Sequence, residues 1–215
     1  LDLIHLLNDY LREIEIDYAI CGGCAIDLFI GKKTRPHKDL DVAVYWEDRD
    51  KIVHYMIEDR WILFEPCGND YLHKINSISE QKSVKTNIWC VRYNNPHYKF
   101  FEYDKEKFKV NFDGSEQIKL NFIEYLFNYH DNEYFIYASN YSIKREYHKA
   151  ILKNDDIFYL APELVLLYKS TAINNPDYQH DFQNTLPKMN EDQISWLKNA
   201  LLLMFPGGHE WLQNF

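Results

Sequence analysis

The residues from Tyr18 to Val44 constrain the fold more than any other stretch of the chain. Tyr18 to Cys21 is a short apolar run that suits a buried strand. Gly22 and Gly23 break it, and glycines permit backbone angles and close approaches that other residues do not. Ala25, Ile26, Leu28, Phe29 and Ile30 then recur at helical spacing, with Gly31 as a stop. The order is therefore strand, glycine turn, short helix, basic loop and second strand. Such a helix start presents N–H groups beside residues without side chains, which suits a phosphate.

In the second strand, Asp39 and Asp41 are two residues apart, so both carboxylates project from one face while Leu40 and Val42 turn towards a core. Adjacent carboxylates repel unless a cation lies between them. Magnesium takes carboxylate oxygens and substrate phosphates together. A phosphate-holding turn followed by a metal-ready Asp-Leu-Asp points to phosphoryl or nucleotidyl transfer.

Gly22-Gly23 followed by Asp39-Leu40-Asp41 resembles the signature of the polymerase-β-type nucleotidyltransferase superfamily. The longer string from Gly22 to Asp41, Gly-Gly-x-Ala-Ile-Asp-Leu-Phe-x-Gly-x-x-Thr-Arg-x-His-Lys-Asp-x-Asp, is similar to the aminoglycoside 2''-adenylyltransferase and lincosamide nucleotidyltransferase group. Near the C-terminus, Tyr159 to Ser170, Asp181-Phe182, Leu186-Pro187 and Trp196-Leu197 resemble the helical half of the same family. The middle, roughly residues 66–120, has no such match and suggests a local insertion around 94–116.

The chain has 215 residues, 46% apolar and 16% aromatic, which marks a globular protein with a sizeable core. It holds no apolar run of membrane-spanning length and no basic-then-apolar secretory start, so a cytoplasmic protein without a membrane partner is expected. A net charge of −9 argues against broad nucleic-acid binding and is compatible with a cationic small substrate. Cys21, Cys24, Cys67 and Cys90 do not make a disulfide scaffold. Cys21-x-x-Cys24 reads as two small buried residues flanking the glycine turn, or as a thioredoxin-like pair.

Hydrophobic spacing predicts helices over 2–15 and from Glu47 to about Glu58. Strands are expected at Trp61–Glu65, Tyr71–Ile75, Thr86–Arg92, Phe108–Phe112, Ile118–Phe127 and Tyr134–Ser139, with a weaker one at Tyr147–Leu152. Asp113-Gly114 is a turn signal between the strands on either side of it. After about residue 155 the pattern becomes helical: from Pro162 to Ala172, over 178–185, and from Glu191 to Met204. The expected fold is α+β: a nucleotidyltransferase-like mixed sheet flanked by helices over 1–153, then a helical bundle over 154–215, with the active site in the cleft between them.

Two-metal transfer uses a third carboxylate, which can also take the acceptor's proton. The family supplies one from a later strand, and here the candidate is Glu124, with Glu102, Asp104 and Asp113 as competitors. The resemblance implies that Arg35 and His37 lie at the site and that Lys169 meets the nucleotide phosphates. Against this, Lys169 also suits a helix C-terminus, and Asp27 suits a cap or a partner for Arg35. The catalytic and metal set is thus Asp39, Asp41 and Glu124; the nucleotide set is Gly22, Gly23, Arg35, His37 and Lys169. Together they imply a magnesium-dependent enzyme that transfers a nucleoside monophosphate, AMP from ATP first, to a hydroxyl of a small acceptor such as an aminoglycoside or lincosamide. A toxin-like transferase acting on tRNA or protein, and a nucleotide-binding module without turnover, are the other readings.

Overall fold

The computed structural model describes residues 2–69, 71–80, 86–104 and 107–215; Leu1 and the side chain of Asp104 lie outside the described residues. In chain order the elements are α1 (Asp2–Arg12), β1 (Ala19–Ile20), α2 (Gly22–Ile30), β2 (Asp41–Tyr45), α3 (Arg49–Glu58), β3 (Trp61–Gly68), β4 (Tyr71–Ile75), β5 (Asn87–Arg92), β6 (Tyr98–Asp104), β7 (Lys107–Phe112), β8 (Phe122–His130), β9 (Tyr134–Ile136), β10 (Lys144–Glu146), α4 (Tyr147–Ala150), β11 (Ile151–Asn154), β12 (Ile157–Leu160), α5 (Pro162–Lys169), α6 (Pro176–Thr185) and α7 (Glu191–Met204). The chain divides into two compact units, each discontinuous in sequence. Unit 1 holds the residues up to Tyr18 with Pro36–Asn128, and unit 2 holds Ala19–Arg35 with Tyr129–Phe215.

In unit 1 the strand order is β2-β8-β5-β3-β4-β7-β6. β2 and β8 run parallel, and the remaining neighbours are antiparallel. Period-two patterning divides the sheet into two faces. Val42, Val44, Tyr125, Cys90 and Leu63 are buried on one of them, the face that meets α1 and α3. There the Trp61 indole donates to the Tyr10 hydroxyl (2.8 Å), and the Tyr125 hydroxyl donates to the Met56 thioether (3.5 Å). The other face carries Asp41, Glu124, Phe122 and Phe64.

The far end of this sheet curls back over that second face. β3 shifts register against β4 between Pro66 and Gly68, and β6 against β7 between Glu102 and Asp104. Such irregularities raise the local twist. As a result Tyr98 of β6 stacks on Phe122 of β8 with centroids 4.6 Å apart and planes 4° apart, and Phe100 stacks on Phe64 at 4.4 Å. These rings, with Leu72 and Val91, form a small core of their own.

In unit 2, β1 pairs in parallel with β12 through Ile20 and Tyr159, and β11 and β12 form an antiparallel hairpin. The last residues of β8 pair with β9, which pairs with β10. Pro162 sits in the first turn of α5, and an Asn190–Gln193 capping box opens α7. The core gathers Tyr137, Leu166, Leu167, Phe182, Leu197, Leu201 and Trp211, with Phe182 and Trp211 stacked at 4.1 Å. Arg145 crosses this unit as a buried cation. It bonds Glu163 of α5 (2.7 Å) and Asp192 of α7 (2.6 Å), while Gln193 donates to the other Glu163 oxygen (2.9 Å).

Several sequence expectations shift. The strand expected at Tyr147–Leu152 is a single helical turn, α4, followed by β11. The strand expected at Ile118–Phe127 begins only at Phe122 and runs to His130; Ile118 is exposed. The Asp113-Gly114 turn closes no hairpin, because β7 pairs with β4 and β6. β6, β10 and β12 were not anticipated. Among the described residues, no helix is long and apolar enough to cross a membrane.

Candidate active site

Unit 1 places Asp41, at the start of β2, in register with Glu124 in the middle of β8, with Asp39 two residues upstream. Leu40 and Val42 are buried, whereas Asp39 is exposed and Asp41 half-buried, so the aspartates alternate with the core residues. β2 proper begins at Asp41, but the extended backbone continues upstream, where the Leu40 carbonyl accepts from the Glu124 N–H at 2.9 Å. In the parallel register Asp41 lies opposite Glu124, which puts their side chains on the same face. β8 lies between β2 and β5, so Glu124 is on an interior strand rather than an edge.

A carboxylate at this position is costly, and its environment shows the cost. Burial, the largest influence, together with the Asp39 carboxylate pushes the Glu124 carboxyl up to about 7, against a hydrogen bond from the Asn87 amide to Oε1. Asn87 and Trp89 of β5 share this face, with Trp89 directly across from Glu124. The Tyr98 phenol is held well above its ordinary range, first by burial and then by the charges of Asp39, Glu124 and Asp41. It is therefore a neutral O–H beside the acidic group. Asn87 and Tyr98 were missed in the sequence. Asn87 has no motif, and Tyr98 reaches the carboxylates only through the curl of a sheet whose intervening strands separate β6 from β8. The competitor Asp113 is instead engaged with His97 (3.1 Å) in the loop after β7.

Unit 2 holds the glycine turn and two of the expected cations. Gly22 adopts φ 62°, a left-handed angle that favours glycine, and opens α2 behind Cys21, where no side chain caps the helix. Asp27 stabilises the loop that follows: its Oδ1 accepts from the Thr34 N–H (2.8 Å) and hydroxyl (2.6 Å). The Arg35 guanidinium makes a two-pronged bond to Asp181, Nε to Oδ1 and Nη2 to Oδ2, both at 2.9 Å. Lys169, the last residue of α5, reaches the same Oδ2 at 3.0 Å. Arg35 and His37 belong to different units. His37 is buried in unit 1, and its carbonyl accepts from the Gln117 N–H at 2.8 Å. Cys21 and Cys24 are buried and are not joined by a disulfide.

The donor set fits magnesium in its usual mode. Among the described residues, no three His, Cys, Asp or Glu side chains are gathered tightly enough to enclose a metal ion unaided. Magnesium is ordinarily held by one or two carboxylates with substrate phosphates completing the shell. Burial first, and the Asp39 charge after it, push Glu124 towards neutrality, a strain that a divalent cation bound beside these carboxylates would relieve.

The family model for aminoglycoside-2''-adenylyltransferase matches residues 3–61, which hold the glycine turn and both aspartates. No curated protein matches the sequence. Among solved structures, the chain is similar to the antibiotic-resistance factor ANT(2'')-Ia in solution, at 12% identity over 96% of this chain and 92% of that one (TM-score 0.54). It is also similar to the lincosamide antibiotic adenylyltransferase LnuA bound to lincomycin, at 12% identity over 87% and 97% (TM-score 0.55). A third likeness is to ANT(2'')-Ia in complex with adenylyl-2''-tobramycin, at 13% identity over 95% and 99% (TM-score 0.50). At such identities these structures establish the fold, and the family match covers the motif-bearing segment. Residues 3–61 are thus similar to the aminoglycoside-2''-adenylyltransferase family, and the fold is similar to those of ANT(2'')-Ia and LnuA.

Proposed function

We propose that the protein transfers AMP from ATP to a hydroxyl of a small antibiotic-like acceptor, with release of pyrophosphate. The observation that carries this reading is the in-register placement of Glu124 opposite Asp41, beside Asp39, on one face of unit 1. The family match to an aminoglycoside adenylyltransferase over the same motif supports the choice of nucleotide and acceptor class.

Asp39 and Asp41 would hold a magnesium ion, with Glu124 completing the set. When bound, that ion supplies charge neutralisation at the phosphorus being transferred. Asn87 occupies Oε1 of Glu124, which directs proton uptake to Oε2. Burial and the Asp39 carboxylate raise the proton affinity of Glu124 in the metal-free protein, the direction that suits a general base. Glu124 accepts the acceptor's hydroxyl proton, the freed oxygen bonds the α-phosphorus, and the bond to the pyrophosphate leaving group breaks. The backbone at Gly22-Gly23 and the side chains of Arg35, His37 and Lys169 are the groups assigned to the nucleotide.

The test is direct. The protein is incubated with ATP, magnesium and a panel of aminoglycosides and lincosamides, with pyrophosphate release and acceptor mass as readouts. The expected product carries one added AMP, and Asp41→Asn loses it. Absence of pyrophosphate release across the panel would refute the proposal.

A further inference from the structure

Trp89 carries a polar atom that the transfer chemistry above does not use. Trp61, Trp196 and Trp211 each give their indole N–H to an oxygen, at 2.8, 2.9 and 3.0 Å. The Trp89 Nε1 is buried as well, but among the described residues it has no hydrogen-bond partner. A buried N–H left unpaired costs free energy, so what it faces matters. Trp89 lies on β5 between Phe64 of β3 and Glu124 of β8, directly opposite each. Opposed residues of an antiparallel pair share a face, so the indole and the carboxylate are side-chain neighbours. The indole is held edge-to-face on Phe122, with ring centroids 5.7 Å apart. Against the dominant effect of burial, the Asn87 amide and the Trp89 N–H both draw the Glu124 carboxyl down, yet only the amide closes a hydrogen bond.

We propose that Trp89 is a positioning residue for the transfer: its indole N–H is the second donor, after the Asn87 amide, that fixes the plane of the Glu124 carboxylate, and its bond closes in the assembled complex with nucleotide and acceptor. This rests on the reading above that Glu124 takes the acceptor's proton. The last torsion of a glutamate side chain is broad, so one donor on Oε1 leaves the carboxylate free to swing. Asn87 and Trp89 are two residues apart on one strand, so they approach the group from two places along the same face. A carboxylate oxygen has more than one acceptor site, so Oε2 can hold the indole N–H and still receive a proton. Catalytic hydrogen bonds are often long or misaligned before substrates bind and tighten in the complex. The unpaired indole fits that pattern: a donor already in place beside the base, with its bond still to be made.

Trp89→Phe keeps a ring against Phe122 and removes the N–H. With ATP, magnesium and an accepted aminoglycoside or lincosamide, kcat is expected to fall by roughly tenfold to a hundredfold, the worth of one hydrogen bond to a charged group, with KM for both substrates within about threefold of wild type. A kcat within about threefold of wild type overturns the proposal, as does a loss that appears in KM or in the unfolding midpoint instead, the mark of a merely structural ring. A second readout needs no turnover. In protein carrying isotope-labelled tryptophan, the indole N–H resonance missing from Trp89→Phe should move downfield when magnesium, a non-hydrolysable ATP analogue and the acceptor are added, and should not do so in Glu124→Ala. A Trp89 resonance that stays in place also overturns the proposal. Should Trp89→Phe fail to fold, the labelled wild-type protein decides, with the resonance identified by its Overhauser contacts to the Phe122 ring. Wild-type protein that releases no pyrophosphate sinks the proposed function and this inference with it; a wild type that turns over while Trp89→Phe keeps pace sinks this inference alone.

Discussion

Replacing Glu124 by glutamine separates what this residue does for the fold from what it does for chemistry. The carboxyl titrates at about 7 in the folded chain against an ordinary value of 4.5. An acid whose folded value is raised is neutral in both states below about pH 4.5 and ionised in both above about pH 7. Between those limits the folded state holds a proton that the unfolded state has released, so stability falls as pH rises. A tenfold difference in proton affinity between the two states is worth about 1.4 kcal/mol. The full penalty therefore approaches roughly 3 kcal/mol at pH 8, is near ~2 kcal/mol at pH 6, and is under ~1 kcal/mol at pH 5. Glutamine has nearly the same shape, keeps an oxygen for the Asn87 amide and never ionises. Glu124→Gln is therefore expected to be more stable than the native chain by about 2–3 kcal/mol at pH 8, with the gap closing towards pH 5. Urea unfolding at several pH values, without nucleotide or magnesium, measures it. The same variant is expected to lose on the order of 10²–10⁴-fold in transfer rate. A variant that is less stable at pH 8, or a stability gap that does not shrink on acidification, would refute the claim that burial and Asp39 strain this carboxyl.

Other parts of the structure make independent predictions. Arg145→Met leaves the buried Glu163 without its cation, and removal of one partner from such a pair costs about 3–5 kcal/mol; calorimetry should show a clear fall in Tm, partly restored by Arg145→Met/Glu163→Leu. Gly22→Ala forces a side chain into a left-handed conformation, which costs about 1–2 kcal/mol. Chemical denaturation measures that loss, and KM for ATP should rise with it. Tyr98→Phe retains the stack on Phe122 and is expected to unfold within about 1 kcal/mol of wild type, whereas Tyr98→Ala loses about 3–5 kcal/mol. A difference in transfer rate between wild type and Tyr98→Phe then reports on the hydroxyl alone.

The parts of the site that were legible in the sequence are those written in consecutive residues. Gly22-Gly23 and the alternation of Asp39, Leu40, Asp41 and Val42 specify local geometry by backbone freedom and by the two-residue pleat. Glu124 was legible as an acid within an apolar run, even though the strand around it begins four residues later than its pattern suggested. The helices α1, α3 and α7 follow their apolar spacing. What could not be read depends on distant partners. Arg35 and Asp181 are 146 positions apart, and Tyr98 meets Phe122 only because register shifts bend the sheet. The run from Tyr147 to Leu152 has the composition of a strand, but it splits into a helical turn and a strand because β11 must begin where β12 can pair with it. Two-residue β1 is likewise specified by its partner more than by its own sequence.

The pairing of Ile20 with Tyr159 has a consequence for biogenesis. The strand that leads into the glycine turn leaves the ribosome early, while β12 beside it is synthesised about 140 residues later. At translation rates of roughly 5–20 residues per second, the turn spends on the order of ten seconds or more without that neighbour. A nascent chain halted before Tyr159 would hold every residue of the glycine and aspartate motifs yet lack the scaffold that gives unit 2 its form, so stop codons ahead of Tyr159 are predicted to yield protease-sensitive chains in place of weakened but folded ones.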